Sequence, residues 1–583
     1  MLTKTSSGSV EGALRTCRDI LLSVAAFSGV INVLALTGAL YMLQVYDRVL
    51  PSRSTPTLIG LTVLMVGFFV AGGVLDYLRT RLMSRVGLRI DHELRDRVFQ
   101  AIQILPLRGG PAGQDLQPVR DLDQIRTFLS GLGPTALFDM PWVPLYIIVI
   151  FLLHPVLGAY AVFGALILLG LTFVTERRSL APGLAASKSG AQRMNFGETV
   201  RRNAEVVKAM GMGPKVGDRW QGLNARHLAD QLAASDAVGG LGAASKVIRL
   251  LLQSMILGLG AYLVIHGEVS AGAIIAGSII LSRALAPIEM AIQHWRGFVA
   301  ARQAHQRLTK LLDQIDDGGV VPVALPDPRR SLTVEGLTVA PPGQSQPVLR
   351  GINFNLSAGD GLAVIGPSGS GKSTLARALI GVWNPVRSGG TVRLDGASID
   401  QWPSHALGRH IGYLPQDVQL FEGTIGENIA RMDSTATSEA IVAAAEAAGA
   451  HDLIVGLAEG YQTRIGENGA GLSAGQRQRI GLARALYGNP FLVVLDEPNS
   501  NLDAVGEDAL SKAIEGVRAR GGIVIVIAHR PSALAHIKKA LMLANGQMQA
   551  FGPKDDVLRR VQAERQRPSG TGSARMTAVV GGK

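Results

Sequence analysis

Residues 366–374 read Gly-Pro-Ser-Gly-Ser-Gly-Lys-Ser-Thr, between the apolar run GLAVI and the helix-forming LARALIGVW. Strand, glycine loop and helix in that order make a phosphate-binding loop. Gly366, Gly369 and Gly371 let consecutive backbone N–H groups wrap phosphate oxygens. Lys372 reaches the terminal phosphates, and the Ser373 hydroxyl is suited to Mg²⁺. Pro367, Ser368, Ser370 and Thr374 complete the candidate contacts. A second element is FLVVLDEP at 491–498, an apolar strand ending in two acids. Asp496 can hold Mg²⁺ through water, and Glu497 can polarise an attacking water. GGIVIVIAHR is another buried strand, with His529 at its end to sense a terminal phosphate. Gln416, in YLPQDVQLF, can meet Mg²⁺ or the attacking water. The candidate metal ligands are thus Ser373, Gln416 and Asp496, and the candidate catalytic residues Glu497, His529 and Gln416. Downstream, LSAGQRQRIGLARAL at 472–486 runs a serine-glycine turn into a basic amphipathic helix.

These residues occupy less than half of the chain. Its 583 residues exceed one hydrophobic core. Hydrophobic residues make up 47% and charged ones only 17%, well below the roughly 25% of soluble domains. Lipid therefore solvates part of the molecule. The apolar residues concentrate in the first half. Ile20–Leu43 has no charge over a length near the ~20 residues that cross hydrocarbon, and is longer than the ~7–15 apolar residues of a signal peptide. Further runs cover about 57–75, 136–153, 157–174, 250–265 and 271–288, which predicts about six membrane spans. The single cysteine, Cys17, excludes a disulfide framework.

The net charge is +12, which suits nucleic acid, an anionic bilayer face or an acidic client. Position decides among them. Arg79, Arg81, Arg85, Arg89, Arg95 and Arg97 follow the second span, and Arg177, Arg178, Lys188, Arg193, Arg201, Arg202 and Lys208 follow the fourth. The short HGEVS turn between the last two spans has no Lys or Arg. Both long loops and both termini are expected in the cytoplasm, so the charge needs no nucleic acid. Val86, Ile90, Leu94 and Val98 recur one helical turn apart, so the second span is expected to continue as a helix beyond the bilayer. NFGETVRRNAEVVKAMGMG does likewise in the second loop. Each loop ends in a Gly or Pro tip suited to docking on a partner domain. Arg283 and Glu289 sit in or near the last span, and Asp139 opens the third. A charge at bilayer depth costs at least ~2.5–3.5 kcal/mol, so each should face a wet cavity or a partner. For Arg283 and Glu289 the alternatives are a translocation route, or interfacial placement and mutual pairing. After about Gln306 the texture changes through a Gly/Pro-rich stretch to strand-like alternation at SLTVEGLTV.

The order GPSGSGKST, Gln416, LSAGQ, LDEP, NLD, His529 resembles the nucleotide-binding domain of ABC ATPases. The resemblance implies a signature turn, LSAGQ, that closes over ATP held by the phosphate loop of a second domain, head to tail. By that resemblance Ser473 and Gly475 bind the γ-phosphate across the interface, in keeping with anion binding at helix N-termini. Gln476 and Asp503 join the nucleotide contacts, and the working unit is a homodimer. YMLQVYDRVLPSRS, FDMPW, RALAPIE and DEPNSNLD make the whole chain similar to bacterial type I secretion ATPases, in the branch that exports proteases, lipases and repeat-in-toxin proteins. The fold implied is a six-helix membrane domain of ABC exporter type followed by an α/β P-loop domain. The resemblance divides the chain into a short N-terminal segment (1–19), membrane domain (20–310), linker (311–330), ATPase domain (331–561) and a tail (562–583) whose composition predicts disorder. With so few residues before the first span, no N-terminal peptidase domain is expected. The cofactors implied are ATP and Mg²⁺. The partners implied are a second copy, a periplasmic membrane fusion protein, an outer-membrane channel, the lipid bilayer and a secreted protein with an uncleaved C-terminal signal. The location implied is the bacterial inner membrane. ATP-driven closure is expected to reach the membrane helices through the loop tips, with Gln416 and LFEGTIGENI as the receiving surface. Two positions depart from the family pattern. Ala474 replaces a usual glycine, which an alanine fits at negative φ, and Pro341-Pro342 stand where an aromatic usually stacks on adenine. Rival readings are a lipid or drug exporter of the same architecture, a nucleic-acid-handling ATPase, which would lack six spans, and a non-catalytic ATPase half, which Lys372, Glu497 and His529 argue against.

Overall fold

The computed structural model describes residues 10–108, 116–316, 325–386, 389–466, 469–528 and 535–566. The chain divides into two compact units, the first made up of Met1–Pro106 and Pro111–Gly318 and the second mainly of Gly319–Lys583.

Among the described residues of the first unit, six helical segments are long and apolar enough to cross a membrane: Arg18–Ser52, Thr55–Ile104, Gly133–Leu153, Pro155–Arg202, Gly213–Ile265 and Ala271–Gln293. Each contains one of the six apolar runs read from the sequence. The second, fourth and fifth are helices of 50, 48 and 53 residues. At 1.5 Å per residue they reach roughly 70–80 Å, against a hydrocarbon core of ~30 Å. The excess forms the long loops. Val86, Ile90, Leu94 and Val98 are all buried there, packed with Leu122 and Ile125 of helix Gln117–Ser130 and with Leu308 and Leu312 of helix Trp295–Asp316. That last helix carries regular structure to Asp316, past residue 310, where the sequence reading ended the membrane domain. Cys17 is free and buried.

At the opposite ends of the spans the connections are short. His154 alone separates the third from the fourth, and 266–270 separate the fifth from the sixth. Near the end of the first segment Val45–Val49 forms a π-turn, and just after it Arg53 adopts a left-handed φ of 51°. Asp47 in that turn accepts hydrogen bonds from the Ser270 hydroxyl and, at 3.0 Å, from the Gly272 N–H, tying it to the N-terminus of the sixth span. A carboxylate suits that helix end. Gly272 permits the approach, because a Cβ there would lie 2.6 Å from Asp47.

The three span charges have different surroundings. Asp139 accepts from Arg79 at 2.8 and 3.1 Å and from Asn32 at 2.8 Å, and Tyr146 donates to Asn32. Glu289 pairs with Arg249 at 2.5 Å. The mutual pairing of Arg283 with Glu289 considered above does not form, because the fifth span brings a nearer guanidinium to the carboxylate.

The second unit holds a four-stranded sheet of order β2-β1-β4-β5 and a six-stranded sheet of order β12-β11-β3-β10-β9-β6. In the first, β1 is Ser331–Val339, β2 Leu349–Ser357, β4 Thr391–Leu394 and β5 Ala397–Ser398. In the second, β3 is Gly361–Ile365, β6 Ile411–Leu414, β9 Leu492–Asp496, β10 Ile523–Ile527, β11 Lys539–Ala544 and β12 Gln547–Pro553, while the short strands β7 (Gly423–Thr424) and β8 (Arg464–Ile465) pair with each other. Strands β11, β3, β10, β9 and β6 run parallel. Ile523, Ile525 and Ile527 enter one core, and Val524 and Val526 enter the other. A parallel sheet covered on both faces explains why these strands read as unbroken apolar runs. The last helix, Lys554–Gln566, passes residue 561, where the ATPase domain was expected to end.

Candidate nucleotide site

In a parallel sheet ligands gather at the carboxyl ends of the strands. Strand β3 ends at Ile365 and releases the glycine loop into helix Lys372–Leu379. Two strands away, β9 ends at Asp496, and β10 lies between them. The sheet thus brings together residues 120 or more positions apart in sequence.

The loop geometry demands its glycines. At Gly366 a Cβ would stand 2.2 Å from the Leu543 carbonyl oxygen, and Gly371, which caps the helix, has φ 98°. Pro367, Ser368 and Gly369 are exposed, whereas Ser370 and Thr374 are buried. The Ser370 hydroxyl is enclosed and lacks a hydrogen-bond partner. Lys372 is buried, and its ammonium donates at 3.0 Å to the carbonyls of both Gly366 and Pro367. Burial lowers its pKa, against an opposing pull from Glu497 and Asp496. The side chain therefore already bridges the loop that it would share with phosphate.

Asp496 is 1% exposed, and its Oδ1 has no hydrogen-bond partner. Burial raises its pKa, partly offset by the hydroxyl of Ser373 in hydrogen-bonding range. An orphaned buried carboxylate oxygen beside a hydroxyl is a donor set that fits Mg²⁺. Gln416 donates to Glu497 Oε2 at 3.1 Å, which joins two candidates 81 residues apart. Glu497 has φ 51°, a left-handed conformation that costs a non-glycine residue on the order of 1–3 kcal/mol. Its N–H donates to the Ile527 carbonyl at 2.9 Å, which helps to hold that conformation. His529 lies outside the described residues.

Ser473 caps helix Ala474–Leu486 with a reciprocal pair of bonds: the Gln476 N–H donates to the Ser473 hydroxyl at 3.2 Å, and the Ser473 N–H to Gln476 Oε1 at 2.8 Å. Ala474 takes the first helical position and is absent from the residues with positive φ, so alanine fits there. Gly475 lies against the Asn501 carbonyl, 2.9 Å from where a Cβ would stand. Among the described residues no hydrogen bond links 473–476 to the phosphate loop of the same chain. Asp503 caps helix Ala504–Ala519 through the Gly506 N–H at 2.8 Å and pairs with Arg479; these bonds, the backbone one foremost, lower its pKa. Its carboxylate is thus engaged within the chain. Pro341 and Pro342 lie between β1 and β2, in a turn closed by the Gln344 N–H on the Pro341 carbonyl.

Sequence reading missed Gln478. It is 1% exposed, and its amide donates to the carbonyls of Glu497 and Pro498 while its oxygen accepts from the Asn501 N–H. It clasps the turn after Glu497 to the signature helix. A polar residue on the buried face of an amphipathic helix was the available signal.

The comparisons with known proteins agree with this geometry. Residues 21–285 match the family model "ABC transporter transmembrane region" and residues 349–500 match "ABC transporter". The chain is 53% identical over 568 residues to the type I secretion system ATP-binding protein PrsD of Rhizobium meliloti, covering 97% of each. It is 31% identical to the leukotoxin translocation ATP-binding protein LktB of Mannheimia haemolytica, covering 93% of this chain and 76% of that one. A solved bacterial Atm1-family ABC exporter with ATP bound superposes with a TM-score of 0.81 at 25% identity, covering 96% of this chain and 99% of that one. A transmembrane half and an ATP-hydrolysing half therefore lie on one chain, which belongs to the ABC transporters as a member of the type I secretion ATP-binding proteins.

Proposed function

We propose that the protein exports unfolded proteins bearing C-terminal signals across the bacterial inner membrane, as a homodimer working with a periplasmic membrane fusion protein and an outer-membrane channel. The observation that carries this reading is near full-length identity of 53% to a protein named for type I secretion. The basic loops support an orientation with both termini and the ATPase unit in the cytoplasm. In this reading Lys372 and the loop amides bind the ATP phosphates, and Ser373 and Asp496 hold Mg²⁺, which screens the phosphate charge. Glu497, oriented by Gln416, takes a proton from the attacking water. Among the described residues Ser473 and Gly475 have no bond to the phosphate loop of their own chain, which favours their use on a second copy. Hydrolysis coupled to export then requires two chains. A lipid or drug exporter shares the architecture, but the relatives at 53% and 31% identity are named for type I secretion and for leukotoxin translocation, which favours a protein client.

The test is made in cells that carry the chain with its adaptor and channel. A client with its C-terminal segment should reach the medium, and the same client without that segment should stay inside. Equal export of both would contradict the reading.

A further inference from the structure

Of the three charges singled out in or near the apolar runs, Asp139 and Glu289 have arginine partners, which leaves Arg283 without one among the described residues. It lies twelve residues into the helix Ala271–Gln293, about 18 Å from its start at 1.5 Å per residue. That is inside a hydrocarbon layer of ~30 Å. Most of this span is covered by the rest of the unit, yet Arg283 is exposed, on a stripe with the partly covered Ile275, Ile279, Ser282, Ala286 and Met290. Among the described residues it has no hydrogen bond or ion pair.

Three surroundings are open to such a group: lipid, a second copy of the chain, or water. A bare guanidinium at that depth is costly in lipid. A second copy carries the same sequence, and its deep carboxylates, Asp139 and Glu289, are already held by Arg79 and Arg249. Water remains. We propose that Arg283 lines the water-filled path taken by the client and makes that path favour acidic segments over basic ones. The selectivity rests on the export reading above; exposure to water does not. Low-dielectric walls focus the field of a fixed cation into a water-filled cleft, so it attracts carboxylates and repels ammonium groups more strongly there than on an open surface.

Two measurements test this. In the first, Arg283→Cys is made in a Cys17→Ser background, so that the full chain in membrane vesicles carries one thiol. A water-soluble methanethiosulfonate should modify it at least tenfold faster than Val70→Cys, a control on the exposed apolar face of the second span. Equal rates would overturn the exposure to water. In the second, clients carry a run of Glu or of Lys ahead of the same C-terminal signal. The unsubstituted chain should export the Glu client several-fold faster, Arg283→Lys should keep that preference, and Arg283→Glu should reverse it. Indifference to client charge would overturn the selectivity. No export of either client by the unsubstituted chain would overturn the export reading and the selectivity with it, while the labelling rates still decide whether Arg283 faces water.

Discussion

Substituting Glu497→Gln is expected to slow ATP hydrolysis by ~10²–10⁴-fold, the range attributed to a general base, while ATP remains bound. Glutamine preserves the shape of the side chain and its contact with Gln416, and the backbone keeps its bond to Ile527. What is lost, on the proposed reading, is the basic carboxylate that takes the proton from water. A loss of ~10³-fold corresponds to about 4 kcal/mol of transition-state stabilisation. Steady-state phosphate release together with equilibrium ATP binding checks this. Hydrolysis at the unsubstituted rate would remove Glu497 from the role.

Lys372→Ala should fail earlier, at binding. The ammonium donates to two loop carbonyls, so on the proposed reading its removal takes away both a phosphate contact and a brace. Hydrogen bonds to charged groups contribute about 1.5–3 kcal/mol each, so ATP affinity should fall by roughly 10–100-fold or more and hydrolysis should vanish at ordinary ATP concentrations. Lys372→Arg is not expected to rescue it, since a planar fork does not replace a compact point charge inside a tight loop. ATP binding close to that of the unsubstituted protein in Lys372→Ala would contradict this account.

The two variants separate the phosphate loop from the end of β9, and both were legible in sequence because each is a local pattern. The glycine loop announces itself in nine consecutive residues, and the apolar strand with its two acids, FLVVLDEP, in eight. Periodicity likewise exposed the buried stripe from Val86 to Val98. What sequence could not supply were the partners brought in by topology. Nothing near Asp139 names Arg79, 60 residues away, and nothing near Glu289 names Arg249 on the preceding span. Gln478 was passed over because a glutamine in a basic helix reads as solvated until its carbonyl partners on the turn after β9 are seen. Asp47 falls inside YMLQVYDRVLPSRS, a stretch read only for its family resemblance, and only the fold sets it against the N-terminus of the sixth span. Periodicity tells which face of an element is covered; it does not tell by what.

The central claim is that this ATPase is coupled to a protein client, and the most direct test is the ATPase rate of the purified protein in lipid, with and without the C-terminal segment of a client. The account predicts that the rate changes with the segment, that the change saturates, and that it is absent in Lys372→Ala. A robust ATPase indifferent to such segments but responsive to lipids or drugs would contradict it.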